Sequence, residues 1–337
     1  MVTIKDVAKA AGVSKVTVSN VINGNYKKVS AETIEKINKI IKELNYIPNA
    51  TARCLTMKTS KLIGVVIPYI SNSGTKLHTP YNAEIIGVLE EIIRMNGYYL
   101  LIRCVDNCMD IIPTLNTWNV DGAIFMGVLD TDVAKLRKNV KIPMVFIDTY
   151  YDGNQIANVG ADDFKGGYIA TKYLINNGHK HICFVGPEHE KGVIKERFEG
   201  YCKAMTECGY HDFIREECVN ITSFESGIEI GKKLAFDDKP VTAVFTTADI
   251  IALGVMEGFK LSGKRVPEDY SVIGFDNLPE CQYSTPKLTS INQNMSKKAE
   301  RAAELLFSFL KDKCVTPVNE IIPVDLIERQ SVRRLII

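Results

Sequence analysis

Lys15, Val16 and Asn20 fall on one side of a short stretch whose other side, Val18, Val21 and Ile22, is apolar at helical spacing. An exposed valine beside a lysine contributes nothing to stability on a free surface. In the major groove of DNA all three residues have partners. Valine meets a thymine methyl, lysine reaches guanine O6 or N7, and asparagine pairs bidentately with adenine N6 and N7. Ser14, Thr17, Ser19 and Asn23 are short donors on the same stretch, suited with the first helical amides to phosphate oxygens. The plain alternative is a solvated polar face with one stray valine.

Holding such side chains in a groove requires a rigid frame. Thr3 can cap a helix, with Asp6 closing a capping box, and Ile4, Val7, Ala8 and Ala11 then share a face until Gly12. Ser14 caps a second helix and Gly24 stops it. Two short helices joined by Gly12-Val13-Ser14 make a helix-turn-helix. A third is predicted from a cap at Ser30, with Ile34, Ile37, Ile40, Ile41 and Leu44 as its stripe, and three helices can close a small core over about 45 residues. Net charge over the 337 residues is only +1, yet residues 1–60 hold nine lysines and Arg53 against Asp6, Glu32, Glu35 and Glu43, a balance of +6. The remaining 31 basic and 36 acidic residues give −5, so the positive charge is confined to one end, as in a nucleic-acid-binding head.

From Leu62 onward, short apolar runs alternate with amphipathic stretches. Strands are predicted at Leu62–Ile67, Tyr98–Ile102, Ala123–Met126 and Met144–Ile147, with helices at Ala83–Met95 and Asp132–Lys138. A second set has strands at Ile182–Val185, Ala243–Thr246 and Val272–Phe275, and helices at Lys165–Asn176, Val193–Glu207, Ser226–Ala235 and Asp249–Leu261. Such alternation implies an α/β body of parallel, doubly wound sheets, in two lobes with a break near Gly160. Ligands of these folds bind beyond the carboxyl ends of strands, so the cleft between lobes is the expected pocket. Tyr69, Asp148, Asp249 and Asp276 stand near strand ends there, a polar set suited to sugar or nucleoside hydroxyls, although each acid alone could be a helix cap.

The segments Thr3–Ser14, Thr17-Val-Ser19, Val21-Ile-Asn23-Gly24 and Leu44–Leu55 resemble the head of the lac and purine repressor (LacI/GalR) family. Leu62–Pro68, Asn176–His179, Phe184–Pro187, Glu196–Tyr201, Ala248–Gly254 and Val272–Asn277 extend the resemblance through a body similar to periplasmic binding proteins. It implies an all-α head over 1–48, a hinge helix and linker over 49–60, and an effector-binding and dimerisation domain over 61–337. The first lobe would take about 61–160 and 292–325, and the second about 161–291 and 326–337. In the family the hinge orders on DNA and a leucine at the position of Leu55 wedges into a minor-groove base step. Arg53 and Tyr46 stand where hinge and phosphate contacts are expected. Arg197 and Asp276 occupy effector-gripping positions, with Asp148, Asp162 and Asp249 nearby. A last helix of the first lobe, Ser296–Asp312, implies three crossings between lobes. The resemblance further implies a homodimer on a near-palindromic double-stranded operator, most simply a repressor, with a sugar or sugar derivative as effector. The chain ends soon after Glu328 without leucine heptads, which favours dimer over tetramer.

Departures leave the effector and the direction of its action open. Asn20 stands where many members carry arginine, Ser71–Pro80 is longer and Asp106–Asn119 shorter than usual, and Thr222 replaces a common aromatic, leaving Phe224, Tyr81 or Trp118 as stacking faces. No run of eighteen apolar residues and no secretory profile is present, so a cytoplasmic protein without membrane contact is expected. Nine scattered cysteines match no zinc pattern. The phosphate-loop, dinucleotide and nucleophile-elbow motifs are missing, and Ser73-Gly-Thr-Lys76 lacks the companions of acyl-enzyme families. His179 and His181 have no nearby ligand set. No enzyme activity, cofactor or metal is therefore expected; an α/β enzyme or a stand-alone sugar-binding protein remain the competing readings.

Overall fold

The computed structural model describes residues 2–47, 59–68, 77, 79–151, 156–312 and 316–335, in two units, Met1–Lys61 and Leu62–Ile337. The first holds α1 (Ile4–Ala11), α2 (Lys15–Ile22) and α3 (Ala31–Glu43). The Thr3 amide and hydroxyl both donate to the Asp6 carboxylate, at 2.9 and 2.7 Å, and Gly12 ends α1 at φ 67°, a left-handed conformation that glycine adopts without penalty. The hydroxyls of Ser14 and Ser30 accept the amides of Thr17 and Thr33 and so open α2 and α3. Val7, Ala8, Ala11, Val18, Val21 and Ile37 are buried together, with Ile34, Ile40, Ile41 and Leu44 packed against them.

The second unit contains two six-stranded sheets. The first runs β11 (Asn319–Ile322), β5 (Asn158–Ala161), β4 (Met144–Ile147), β3 (Gly122–Met126), β1 (Leu62–Pro68) and β2 (Tyr99–Val105), all parallel. The second runs β12 (Asp325–Ile327), β10 (Thr289–Asn292), β9 (Ser271–Asp276), β8 (Ala243–Thr246), β6 (Ile182–Pro187) and β7 (Arg215–Val219), parallel except where β12 meets β10. The two orders match strand for strand, β1 with β6 through β5 with β10. Crossings between sheets follow Ala161, Asn292 and Ile322, the carboxyl ends of β5, β10 and β11.

Helices α4 (Pro80–Met95), α5 (Ile111–Thr117), α6 (Asp130–Asn139) and α12 (Met295–Lys311) cover the first sheet. Helices α7 (Asp163–Asn176), α8 (Val193–Glu207), α9 (Phe224–Ala235), α10 (Asp249–Leu261) and the short α11 (Glu280–Tyr283) belong with the second. The α9–α10 crossing is tight because Gly227 and Gly231 face Gly254 and Gly258; a Cβ on Gly254 would lie 2.1 Å from the Phe224 carbonyl oxygen. His179 is fully buried between the Thr242 hydroxyl and the Arg333 carbonyl. Burial pushes it down to about 4, so a neutral ring ties the C-terminal segment to the sheet.

The sequence reading puts the break near Gly160; Gly160 lies inside β5, and the chain leaves the sheet one residue later, after Ala161. β5 (Asn-Val-Gly-Ala) and β7 (Arg-Glu-Glu-Cys-Val) carry no apolar run: one is four residues long, the other a charged edge strand.

Candidate nucleic-acid interface and ligand cleft

In the head, Val16 is 68% exposed and Lys15 is exposed beside it, while Asn20, one turn on, is half-buried. Val18 and Val21 on the opposite side are buried. The Ser14 and Thr17 hydroxyls lie 2.9 Å apart at the first turn of α2. Ser19 accepts from Asn23 Nδ2 at 3.3 Å, so these two brace the last turn, with Asn23 Oδ1 buried and unpartnered among the described residues. Tyr46 packs on the three-helix core. Arg53 and Leu55 lie outside the described residues, as does Tyr69 in the second unit.

A polar cluster occupies the carboxyl ends of the two sheets. Arg197 on α8 donates through Nε to Asp163 Oδ1 at 2.7 Å and through Nη1 to the Thr247 carbonyl at 2.6 Å. Its guanidinium carbon lies 3.6 Å from the centre of the Phe275 ring. Tyr150 donates to Asp163 Oδ2 at 2.9 Å. Gly167 permits this arrangement, since a Cβ there would lie 2.1 Å from the Arg197 carbonyl oxygen. Burial raises the Asp163 carboxyl, and the guanidinium beside it opposes that shift.

Lys298, on the second turn of α12, is fully buried. Its Nζ lies 2.7 and 2.9 Å from the two Asp148 oxygens, 2.6 Å from Gln293 Oε1 and 3.3 Å from the Tyr81 hydroxyl. Tyr81 donates to Asp148, and Gln293 Nε2 donates to Asp276. Burial, with Asp148 next to it, raises the Tyr81 hydroxyl well above its usual range. A continuous chain, Tyr81–Asp148–Lys298–Gln293–Asp276, thus runs from the first lobe to the second. Lys191 and Asp130, 3.3 Å apart at exposed positions, also join the lobes.

Asp148 follows β4 and Asp276 ends β9, equivalent places in the two sheets, and both have positive φ, 54° and 121°. Their surroundings differ. Asp148 is paired with an ammonium; Asp276 has the Gln293 amide and no cation at ion-pair distance among the described residues. Burial, with Asp249 nearby, pushes the Asp276 carboxyl up to about 8. The neighbouring Thr247 hydroxyl is buried and unpartnered among the described residues. Carboxylates, hydroxyls and one stacked guanidinium at the meeting of two lobes can grip a small polar molecule.

Residues 3–49 match the family described as bacterial regulatory proteins, lacI family, and residues 171–332 match the periplasmic binding protein-like domain. The HTH-type transcriptional repressor PurR of Pasteurella multocida is 39% identical over 99% of both chains. The chain belongs to the LacI family. PurR of Mannheimia succiniciproducens is 38% identical over 99% of this chain and 100% of its own. A lac repressor dimer bound to operator and an anti-inducer superposes with TM-score 0.86 at 28% identity, covering 98% of this chain and 99% of that one. The regulator CelR in complex with cellobiose gives 0.72 at 26% identity over 98% and 100%. Members of the family are DNA-binding transcriptional repressors rather than enzymes. No described helix is long and apolar enough to cross a membrane.

The structure brings Tyr81, Asp148, Arg197 and Asp276 together and gives two other candidates internal roles. The Asp249 carboxylate is fully buried and accepts from the Ser290 hydroxyl at 2.6 Å, the Leu278 amide at 2.8 Å and the Cys281 thiol, so it fastens the loop after β9. Asp162 caps α7 through the Lys165 amide at 3.0 Å. Of the proposed stacking faces, Trp118 caps the end of α5 ahead of β3, toward the amino ends of the strands and away from the cleft, and is 58% exposed. Asp163, Tyr150, Thr247, Gln293 and Lys298 were not singled out from sequence. Lys298 carried a signal: it lies on the buried face of an amphipathic helix, where an unpaired ammonium is costly.

Proposed function

We propose that this protein is a ligand-responsive repressor that binds near-palindromic double-stranded DNA as a homodimer in the cytoplasm. The observation that carries the reading is the face of α2 with Lys15 and Val16 exposed and Asn20 half-buried beside them, held by capped helices within a head of charge +6. Lys15, Val16 and Asn20 would read base edges and Leu55 would wedge the minor groove. Ser14, Thr17, Ser19, Asn23, Tyr46 and Arg53 would meet phosphates. Residues 1–48 serve as head, 49–60 as hinge and 61–337 as effector and dimerisation domain.

The interlobe cleft takes a sugar or sugar derivative, gripped by Tyr69, Tyr81, Asp148, Arg197 and Asp276, with Asp162 and Asp249 fixing the elements around it. Ligand biases the lobes between two arrangements, and its differential affinity for them sets the coupling to DNA.

Selection of full-length protein on a randomised duplex library tests the reading. The expected product is a near-palindrome whose half-sites are presented to successive major-groove faces. Recovery of no enriched sequence, or of an asymmetric single site, contradicts it.

A further inference from the structure

A fully buried lysine is tolerated only where its three N–H groups find acceptors, and at Lys298 all three do. Its Nζ meets Asp148, Gln293 Oε1 and the Tyr81 hydroxyl, and Tyr81 closes a ring by donating to Asp148 in turn. These partners come from separate elements. Tyr81 stands in the first turn of α4 and Asp148 directly after β4, both in the first lobe. Gln293 lies in the crossing between β10 and α12.

Lysine offers donors alone, so Gln293 has to turn its carbonyl to Nζ and therefore its amide to the second lobe. There Asp276 accepts the amide, as one carboxyl oxygen can whether or not the other carries a proton. The ammonium of the first lobe thus orients the bond made to the second. A neighbouring tie flanks the crossing after β5: Tyr150, two residues beyond Asp148, donates to Asp163 at the start of α7 at 2.9 Å. A bound molecule would join the lobes by bonds of this kind; here the chain makes them itself. Taking lobe arrangement to govern DNA binding, the reading proposed above on which this rests, we infer that Lys298 is a positioning residue. It locks the β10–α12 crossing from within, so that the lobes keep this arrangement with no small molecule bound.

The test is hydrogen exchange of the full chain, purified natively or refolded from denaturant so that it carries no small molecule. Amides of the crossing, residues 292–298, should exchange equally slowly in both preparations. At least tenfold faster exchange there after refolding overturns the inference, because a carried molecule would have been holding the lobes. The variant is Asp148→Asn combined with Lys298→Met, which removes both charges together and strands neither. Its crossing should exchange at least tenfold faster while the buried strands β3 and β8 keep their rates. Gln293→Met, which leaves the ion pair in place and cuts only the link, should loosen the same residues. A crossing that stays slow in both variants overturns the inference, and so does exchange that quickens uniformly through the body, since Lys298 would then only support the fold. Titration of the double variant on the selected duplex separates the inference from the reading beneath it. Operator affinity should change at least fivefold; unchanged affinity beside a loosened crossing would keep the lock and remove the link between lobe arrangement and DNA.

Discussion

Val16 and Asp276 are each tolerated where stability alone would disfavour them. Val16 makes little contact within the head, so Val16→Ala should leave the melting temperature unchanged and cost about 1 kcal/mol of operator affinity, roughly fivefold, by removing contact with a thymine methyl. A duplex titration beside a melting curve checks both halves, and a fall in stability with no change in affinity would make Val16 a structural residue. Asp276 is the opposite case, a carboxyl buried with no cation at ion-pair distance among the described residues, while Arg197 and Lys298 farther off partly oppose its shift. Its folded pKa, about 8 against 3.8 for the free group, means that the folded chain holds a proton that the unfolded chain has lost. That contribution to stability is complete below about 4 and disappears as pH rises through 8. Asp276→Asn should therefore stabilise the ligand-free protein at pH 8.5, by something on the order of 2 kcal/mol, with the difference shrinking toward pH 5. A difference independent of pH would show that Asp276 is ionised throughout. Arg197 makes a poorer probe of the cleft. Its removal strands a buried Asp163, a loss typically of about 3–5 kcal/mol that would obscure any effect on ligand.

Helix α10 illustrates how much of an element can be seen in advance. Its ends, Asp249 and Leu261, follow from the apolar stripe, but the reason for Gly254 and Gly258 does not, because it lies on α9, over twenty residues earlier. The glycines let two backbones touch. Gly254→Ala forces a methyl group to within 2.1 Å of the Phe224 carbonyl oxygen, and such overpacking costs about 1–3 kcal/mol or more. Calorimetry should show the body melting several degrees lower while the head transition stays in place; equal stability would mean that the helices can separate at no cost. The same distinction separates what the sequence reading recovered from what it missed. Caps at Ser14 and Ser30, the α2 stripe and strands such as β4 and β8 depend on neighbours in sequence, and they were legible. β5, β7 and the Lys298–Asp148 pair depend on partners brought from far along the chain, and local periodicity carries no trace of them.

For the whole molecule, a repeated architecture is made asymmetric by side chains. The two sheets share one strand order and place Asp148 and Asp276 at matching ends, yet one aspartate is ion-paired with Lys298 and the other accepts from the Gln293 amide with no ion pair among the described residues. That there are two parallel α/β lobes was legible from the alternation of elements; their strand order and the asymmetry were not, the latter because it depends on which residue of α12 turns inward. Charge is divided as unevenly, +6 over residues 1–60 against −5 over the rest, so the body adds nothing to attraction for a polyanion and the head must supply it. The most direct measurement is therefore fluorescence anisotropy of the full chain on its selected duplex and on a scrambled one across a salt series. Affinity for the selected duplex should fall about a thousandfold or more between roughly 50 and 200 mM salt, as counterions displaced from several phosphates return, and should exceed that for the scrambled duplex at every point. Equal affinity for the two duplexes, or binding insensitive to salt, would contradict the account.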